Sequence, residues 1–291
     1  MIDEVLERAK RVRPPGWVAK GPQPRGSGND PSLLPHEDED HSFLCGDFRI
    51  FQKKRGHRWS LDDAVTAMIA LEVAEESAAQ GAPVRHYLDM GCGIGSVLTM
   101  VLWGLPETKG VGIEAQDVSY AMASRSIRYN GIDVRTKLVF GDLREEHDAA
   151  SALAPFDLVT GTPPYLPLGQ GIVSDKPQRG PCCFETRGGI AEYAEAAKRY
   201  LSPTGHFVVC AGARPEGRAE AALHESGLHL QRVIDVVPRE GKETLLHVFV
   251  CTLHGASGTR RSRFLVRDKT GSLTEDSRKL RDVLGMPPAR S

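Results

Sequence analysis

The sequence predicts an α/β protein with a seven-stranded, mostly parallel sheet, helices on both faces and an antiparallel hairpin at its end. Short apolar runs rich in β-branched residues alternate with helical stretches, which is typical of βαβ units. The last two runs, residues 233–237 and 245–252, are separated by a loop too short for a helix. We therefore expect these two strands to pair antiparallel, since a parallel connection needs a longer crossover.

Each element follows from its local pattern. A helix is expected from Asp62 to about Gln80, because Ser60 can cap it and two aspartates suit its positive end. The other candidate helices span residues 96–103, 116–130, 189–201 and 215–226. The candidate strands before the final pair span residues 85–90, 110–114, 137–140, 156–160 and 206–211.

The two ends of the chain differ in composition from its centre. Residues 1–42 are rich in proline and glycine and offer few apolar side chains, so a flexible N-terminal tail is expected. Residues 43–253 form the expected domain, which opens with a β-hairpin segment at 43–60 whose first strand lies around Phe48–Phe51 and whose second strand is Arg58–Trp59. Residues 254–291 hold nine lysines and arginines against four acids, and predict a basic C-terminal tail.

The overall composition excludes several classes of protein. The chain has 37 basic and 38 acidic residues, which argues against a globally basic nucleic-acid coat protein. No apolar run approaches the ~20 residues of a membrane helix. The first residues resemble neither a secretory signal nor a transit peptide. We therefore expect a cytoplasmic protein without a membrane partner.

A glycine-rich loop, Gly91-Cys92-Gly93-Ile94-Gly95, follows the first strand of the alternating region. It lacks the G-x-G-x-x-G spacing of dinucleotide sites, and Asp89 beside it suits a cationic or amino-acid ligand better than a pyrophosphate. Glu114 ends the next strand, where a carboxylate can accept hydrogen bonds from both ribose hydroxyls. Asp142 follows the third strand and can accept one from an adenine amino group. Acids at three successive strand ends predict one nucleoside-binding site.

With these residues the chain resembles the class I S-adenosylmethionine-dependent methyltransferases over roughly residues 43–253. The resemblance implies a Rossmann-like fold and S-adenosylmethionine as the cofactor, with no metal. It also assigns three groups of contacts. By position, the methionine part would be held by Asp89, Gly91, Cys92, Gly93 and Gly95, the ribose by Glu114 with Ala115, and the adenine by Asp142 and Leu143.

A second motif, Thr162-Pro163-Pro164-Tyr165, follows the fourth strand. Two successive prolines make this loop rigid and leave its carbonyls free to accept hydrogen bonds. The Pro163 carbonyl and the Thr162 side chain can each accept a hydrogen from a planar NH2 group, while Tyr165 stacks on the group's ring. Such a loop orients the nitrogen lone pair toward a methyl donor.

The motif resembles the Asn-Pro-Pro-Tyr loop of amino-methyltransferases, which implies a catalytic role for residues 162–165 and places Thr162 beside the cofactor. That group includes N6-adenine methyltransferases of DNA and RNA and the HemK-like glutamine methyltransferases of release factors. Here Thr162 replaces asparagine or aspartate, and its hydroxyl accepts one hydrogen bond without the reach of an amide.

The segment Gly56-His57-Arg58-Trp59-Ser60-Leu61-Asp62 resembles one that lines the cofactor pocket in the bacterial tRNA1(Val) adenine-37 N6-methyltransferases. The resemblance implies that Trp59 and Asp62 line the pocket, and it favours N6-methylation of adenine in a tRNA or rRNA. Basic side chains interleaved with aromatic ones suit a nucleic acid. The candidate RNA contacts are Arg49, Lys53, Lys54, Arg55 and, after a long loop at 166–187 that resembles a lid, Arg187.

Other functions remain open on the sequence. Methylation of DNA, of a protein glutamine or of a small molecule would use the same cofactor site, and the near-neutral net charge favours a protein or small molecule. A cofactor-binding scaffold without turnover is a further alternative, and only Thr162 points to it.

Overall fold

The structure is a computed structural model that describes residues 13–56, 58–165, 188–255 and 258–288. In these ranges the strands are Glu39–Phe43 (β1), Arg49–Lys53 (β2), His86–Met90 (β3), Lys109–Glu114 (β4), Thr136–Phe140 (β5), Phe156–Gly161 (β6), Leu201–Gly212 (β7), His229–Val237 (β8), Leu246–Thr252 (β9) and Arg260–Leu265 (β10). The α-helices of the same ranges are Leu61–Ala79 (α1), Ser96–Gly104 (α2), Asp117–Asn130 (α3), Asp148–Ser151 (α4), Ile190–Tyr200 (α5), Arg218–Glu225 (α6) and Glu275–Val283 (α7). None of the described helices combines the length and the apolar character needed to span a bilayer.

The main sheet has the strand order β10-β8-β9-β7-β6-β3-β4-β5. Strand β9 runs antiparallel to both β7 and β8, and the other pairs are parallel. The predicted α/β class and the antiparallel β8–β9 hairpin are therefore confirmed. The central strands are almost wholly buried, as expected for parallel strands covered on both faces.

Helices pack on both faces of this sheet and form two apolar cores. One core contains side chains of α1, α2 and α3, including Met68, Leu98 and Ile127. The other contains side chains of α5 and α6, including Tyr193 and Leu223. Helix α1 begins after Ser60, whose backbone N–H donates to Asp63 Oδ2 at 2.9 Å, so its start lies where the sequence places it.

The main sheet has eight strands, one more than the sequence predicts. The additional strand, β10, lies in the segment expected to be a basic tail, and it pairs parallel to β8. Helix α7 follows, and Phe264, Leu280 and Leu284 are buried. The many arginines of this segment predict an exposed tail. Its few apolar side chains are nevertheless spaced so that they pack against the domain. The expectation of a basic tail is therefore corrected for β10 and α7, which belong to the folded domain.

The N-terminal expectation also needs correction. Residues 13–42 include β1, and Leu33 is buried. Arg125 on α3 holds this segment, since its guanidinium donates to the carbonyl oxygens of Ser32 and Leu34 at 2.8 and 2.6 Å. Prolines lack a backbone donor but their neighbours' carbonyls still accept, so a proline-rich segment can be ordered by arginines that lie far away in sequence.

The hairpin lies upstream of its predicted position. Strand β2 pairs antiparallel with β1, with His41 opposite Phe51, and the two rings stack at 4.1 Å. Arg58 and Trp59 belong to no strand. The sequence pattern locates β2 correctly but assigns it the wrong partner, because β1 contains acidic and polar residues that do not read as a strand.

Candidate functional site

A pocket opens at the carboxyl ends of β3, β4, β5 and β6, the edge at which open α/β sheets bind ligands. Its wall is formed by Asp62, Asp63, Gly91, Cys92, Gly93, Ser96, Ile113, Glu114, Ala115, Gln116, Gly141, Asp142, Leu143, Thr162, Pro163, Pro164, Tyr165, Gly188 and Tyr193. The structure thus gathers the sequence-predicted cofactor and catalytic residues in one wall, apart from Trp59, Asp89 and Gly95.

The glycine loop is shaped by a neighbouring helix as well as by the pocket. Gly91 has a φ of 59°, and a Cβ there would lie 1.9 Å from the hydroxyl oxygen of Tyr193 on α5. Gly93 has a φ of 57°, and a Cβ there would meet nothing within 4 Å. Gly91 therefore makes room for Tyr193, while Gly93 keeps the wall of the pocket open and the backbone accessible to a ligand.

Asp89 lies beneath the glycine loop, outside the pocket wall. Its carboxylate accepts hydrogen bonds from Thr160 Oγ1 at 2.6 Å and from the backbone N–H of Leu98 at 3.0 Å. Burial raises the pKa of Asp89 to about 7, although these two hydrogen bonds oppose the rise. Asp89 thus positions the loop and the start of α2. Gly95 caps α2, and Trp59 packs against the apolar core.

Glu114 joins the two loops that border the pocket. Its Oε2 accepts from the backbone N–H of Gly93 at 2.8 Å, and its Oε1 accepts from that of Gln116 at 2.7 Å. A carboxylate can accept more than two hydrogen bonds, so a ligand's hydroxyls can join the backbone donors as its partners. Asp142 is held differently, because its two oxygens accept from the guanidinium of Arg144 at 2.9 and 2.6 Å.

Two adjacent acids at the start of α1 border the pocket from the other side. Asp63 is buried, and this burial, together with the charge of Asp62, raises its pKa to about 8. No lysine or arginine of the described ranges forms an ion pair with Asp62, Asp63 or Asp89. Buried carboxylates without a cationic partner suit a ligand that brings its own positive charge.

The Thr162–Tyr165 loop borders the pocket after β6, the sheet neighbour of β3. The hydroxyl of Tyr165 donates to Asp62 Oδ2 at 2.8 Å and lies 2.9 Å from Cys210 Sγ. Its Cβ lies close to Gly212, where an added Cβ would be in tight contact at 3.1 Å. The phenol is therefore fixed between α1 and β7, and its ring forms part of the wall. Thr162 is half-buried and lines the same wall.

The predicted substrate contacts on β2 have structural roles. Arg49 is buried, with its guanidinium 3.6 Å from the centre of the Phe43 ring, so its prediction as a substrate contact is wrong. Lys53 forms ion pairs with Asp38 and Glu39 at 2.9 and 3.3 Å. Lys54 donates to the carbonyl of Glu37 at 2.8 Å.

The remaining predicted contacts are Arg55 and Arg187. The side chains of Lys54 and Arg55 are both exposed, so these two of the described predicted contacts on and after β2 are left as candidates. Arg187 and the predicted lid at 166–187 lie outside the described residues.

Several residues of the wall are absent from the sequence prediction. Asp63 and Ser96 lie in the first turns of α1 and α2, which meet at the pocket, and their proximity to Asp62 and the glycine loop could have indicated them. Tyr193 carries no local signal, since it comes from α5, about a hundred residues after the loop that it contacts.

Comparison with known proteins identifies partial relatives. Two proteins named release factor glutamine methyltransferase match. The one from Caulobacter vibrioides is 32% identical over 150 residues, 48% of this chain and 50% of that protein. The one from Rhodospirillum rubrum is 35% identical over 80 residues, 28% and 23% of the two chains. The chain thus spans half or less of the curated relatives that it matches. No family model matches the chain.

A solved structure extends the likeness over most of the domain. A predicted O-methyltransferase from Agrobacterium tumefaciens superposes with a TM-score of 0.53 at 17% identity, covering 79% of this chain and 99% of that one. A likeness at this identity concerns the fold alone. Together with the sheet order and the position of the pocket, it shows that this chain has the class I methyltransferase fold.

Proposed function

We propose that this chain, which has the class I methyltransferase fold, transfers a methyl group from S-adenosylmethionine to the side-chain amide nitrogen of a protein glutamine. One observation carries the proposal. The acid-lined wall at the ends of β3–β5 and the Thr162–Tyr165 loop after β6 border the same pocket. A donor site and an acceptor site for a planar NH2 group are thus adjacent.

The donor half of the pocket fits S-adenosylmethionine, which carries a sulfonium and an ammonium charge. Asp62 and Asp63 have no basic partner in the described chain, and burial raises the pKa of Asp63 to about 8, so a cationic ligand would be needed to favour its ionised form at neutral pH. Glu114 would accept from the ribose hydroxyls, and Leu143 would contact the adenine. When bound, the cofactor supplies a methyl group activated by the adjacent sulfonium.

The acceptor half of the pocket is built to orient an amide. The Pro163 carbonyl and the Thr162 hydroxyl would each accept one N–H of the acceptor, which directs the nitrogen lone pair into the pocket. The hydrogen bond from Tyr165 to Asp62 fixes the phenol before the acceptor enters, so little conformational freedom is lost on binding. Positioning of this kind is the main contribution of these residues to the rate.

Two observations favour a protein amide over an RNA base. The matching relatives are both named as release factor glutamine methyltransferases. Of the cations that the sequence assigns to RNA on β2, Arg49 is buried and Lys53 forms ion pairs with Asp38 and Glu39, which leaves the exposed Lys54 and Arg55 beyond the strand. Adenine N6 in RNA is the second candidate, supported by the likeness of residues 56–62 to an adenine methyltransferase segment and by the position of Asp62 in the wall.

The experiment supplies radiolabelled S-adenosylmethionine to separated pools of protein, tRNA, rRNA and DNA. We expect label in protein, recovered as N5-methylglutamine after enzymatic digestion. Label recovered as N6-methyladenosine would instead assign the RNA acceptor. Cofactor binding by calorimetry without label in any pool would contradict the enzymatic proposal and favour a scaffold.

Variants at position 162 test the acceptor loop directly. Thr162→Val removes the hydroxyl but keeps the shape, and we expect it to lower kcat by about tenfold or more while cofactor affinity changes little. Thr162→Ser keeps the hydroxyl and is the matched control. Thr162→Asn restores the residue found in the Asn-Pro-Pro-Tyr loop. A large gain in rate would indicate that the threonine loop is a degraded version of it, and a loss would indicate a loop adapted to threonine.

A further inference from the structure

A second groove lies away from the pocket, along α7 and the turn that precedes it. It is lined by Trp17, Leu273 and Met286 and by three arginines, Arg267, Arg278 and Arg281. We call it the C-terminal groove. Arg267 and Arg278 are exposed and Arg281 is half-buried, so the groove presents guanidinium groups beside apolar and aromatic surface.

The three guanidinium groups are fixed by backbone carbonyls. Arg267 donates to the carbonyl of Gly271 at 2.6 Å, Arg278 to that of Leu273 at 2.6 Å, and Arg281 to that of Pro287 at 2.9 Å. A carbonyl orients a guanidinium but does not neutralise it, and each arginine has five donors. The groove therefore holds oriented positive charge with donors to spare.

The acids near the groove are engaged elsewhere. Asp282, the one acid in the described wall of the C-terminal groove, forms an ion pair with Lys20. Asp268 accepts from backbone N–H groups of its own turn, at Thr270 and Ser272. Asp276 accepts from the backbone N–H of Leu265, and Glu275 lies beside it in the first turn of α7, where the helix dipole favours acids. Among the described residues that line the groove itself, three arginines face one acid, Asp282.

The groove starts at the same edge of the sheet as the pocket. Strand β9 is antiparallel to both β7 and β8, so β7 and β8 run in the same direction. Since β10 is parallel to β8 and β6 is parallel to β7, the carboxyl ends of β10 and β6 lie at the same edge of the sheet. Four strand spacings separate β10 from β6, about 19 Å. From there α7, with nine residues, extends the groove for about 14 Å.

We propose that the C-terminal groove binds a single-stranded RNA segment, with the three guanidinium groups on its phosphates and Trp17 beside a base. Guanidinium groups match phosphate oxygens in a bidentate geometry, and aromatic side chains stack on unpaired bases. The Trp17 ring is held by Arg13, whose guanidinium carbon lies 4.6 Å from the ring centre. This aromatic and apolar lining favours RNA over an acidic peptide. The proposal goes beyond the methyl-transfer function and holds for either acceptor.

The test is fluorescence anisotropy of the full chain with a labelled RNA of about 12 nucleotides, over a salt series. The variant R267E/R278E reverses two groove charges, and R267Q/R278Q removes the charges but keeps hydrogen-bond donors. The matched control R85E/K109E makes the same change in charge at two exposed positions near the amino ends of β3 and β4. Thermal unfolding and cofactor affinity of each variant establish that the fold and the pocket are intact.

We expect R267E/R278E to bind RNA at least about tenfold more weakly than the control, with a salt slope smaller by about 1.4. R267Q/R278Q should show the same direction with a smaller change. Equal affinity of the groove variants and the control would overturn the proposal. Tighter binding of a labelled oligoglutamate than of RNA at the same salt would also overturn it, and would assign the groove to an acidic protein. Neither result depends on which acceptor is methylated.

Discussion

The pocket at the ends of β3–β6 and the β1–β2 hairpin both contain buried acidic side chains, but they differ in the cationic partners that the described chain gives these acids. Glu39 on β1 is buried, and it is surrounded by Lys53, Arg125 and the backbone N–H of His36. Asp63 at the pocket is equally buried and has no basic partner in the described chain. A buried carboxylate that is paired within the fold stays ionised and stabilises it, whereas a buried carboxyl group without a cationic partner holds its proton and marks a place for a cationic ligand.

The pKa values of the two carboxyl groups express this difference. Burial raises the pKa of Glu39, but the His36 N–H, Arg125 and Lys53 outweigh it and hold the pKa below its usual value. At Asp63 the desolvation and the neighbouring Asp62 dominate, and the pKa rises to about 8. Removing one charge from each region should therefore affect different properties.

The largest effect is expected at Glu114. Glu114→Ala removes the acceptor of two backbone N–H groups and the proposed ribose contact, so the affinity for S-adenosylmethionine should fall by about 100-fold or more. Glu114→Gln keeps one acceptor oxygen and should lose about tenfold. Isothermal titration calorimetry measures both, and an unchanged affinity of the alanine variant would refute the cofactor assignment.

The second effect concerns stability. Glu39→Gln should lower the free energy of unfolding by about 2 kcal/mol, because it leaves Arg125 and Lys53 without their buried counter-charge, while cofactor affinity stays the same. The matched Asp63→Asn should do the reverse, with little loss of stability and weaker cofactor binding. Urea unfolding and calorimetry on both variants test this. A loss of stability in Asp63→Asn as large as in Glu39→Gln would remove the distinction between the two regions.

The smallest effect is a pH dependence of the pocket. Burial raises the pKa values of Asp63 and Asp89 to about 8 and about 7, from a usual value of 3.8. The folded, ligand-free protein thus keeps protons that the unfolded chain releases. The stability that these groups contribute is complete below about pH 4 and is lost as the pH rises to 7–8.

A cationic ligand favours the ionised carboxylates, so its binding should follow the opposite trend. We expect the affinity for S-adenosylmethionine to rise by about tenfold between pH 6 and pH 8, with proton release on binding. Titrations in buffers of different ionisation enthalpy measure the released protons. A flat profile would mean that Asp63, the one of these two acids that lines the pocket, does not face the cofactor's charges.

Much of the pocket can be predicted from the sequence because its parts are local. The glycine loop, Glu114 and the Thr162–Tyr165 loop each follow a strand directly, and parallel strands bring their carboxyl ends to one edge. Their relation to one another thus follows from the strand pattern. The α/β class and the β8–β9 hairpin are predictable for the same reason, since they depend on periodicity and loop length.

Contacts between distant segments could not be predicted in this way. The sequence indicates that β2 is basic, but only the structure places Arg49 on Phe43 and Lys53 between Asp38 and Glu39. The sequence suggests that a glycine stands at position 91 so that a ligand can approach the backbone. Only the structure shows that the Tyr193 hydroxyl occupies the space that a side chain at position 91 would need. The strand β10 could not be recognised in the sequence because half of its residues are arginines. It joins the sheet by pairing with the edge of β8 and by burying Phe264.

The sequence by itself determined the fold class, the edge of the sheet that carries the site and the chemistry of its loops, since these depend on residue type and spacing along the chain. Tertiary structure alone decided which charges are compensated, because compensation depends on side chains that meet from distant segments. Ion pairs within the fold give the charges of β2 a structural role. The acids of the pocket and the arginines of the C-terminal groove are left available to ligands.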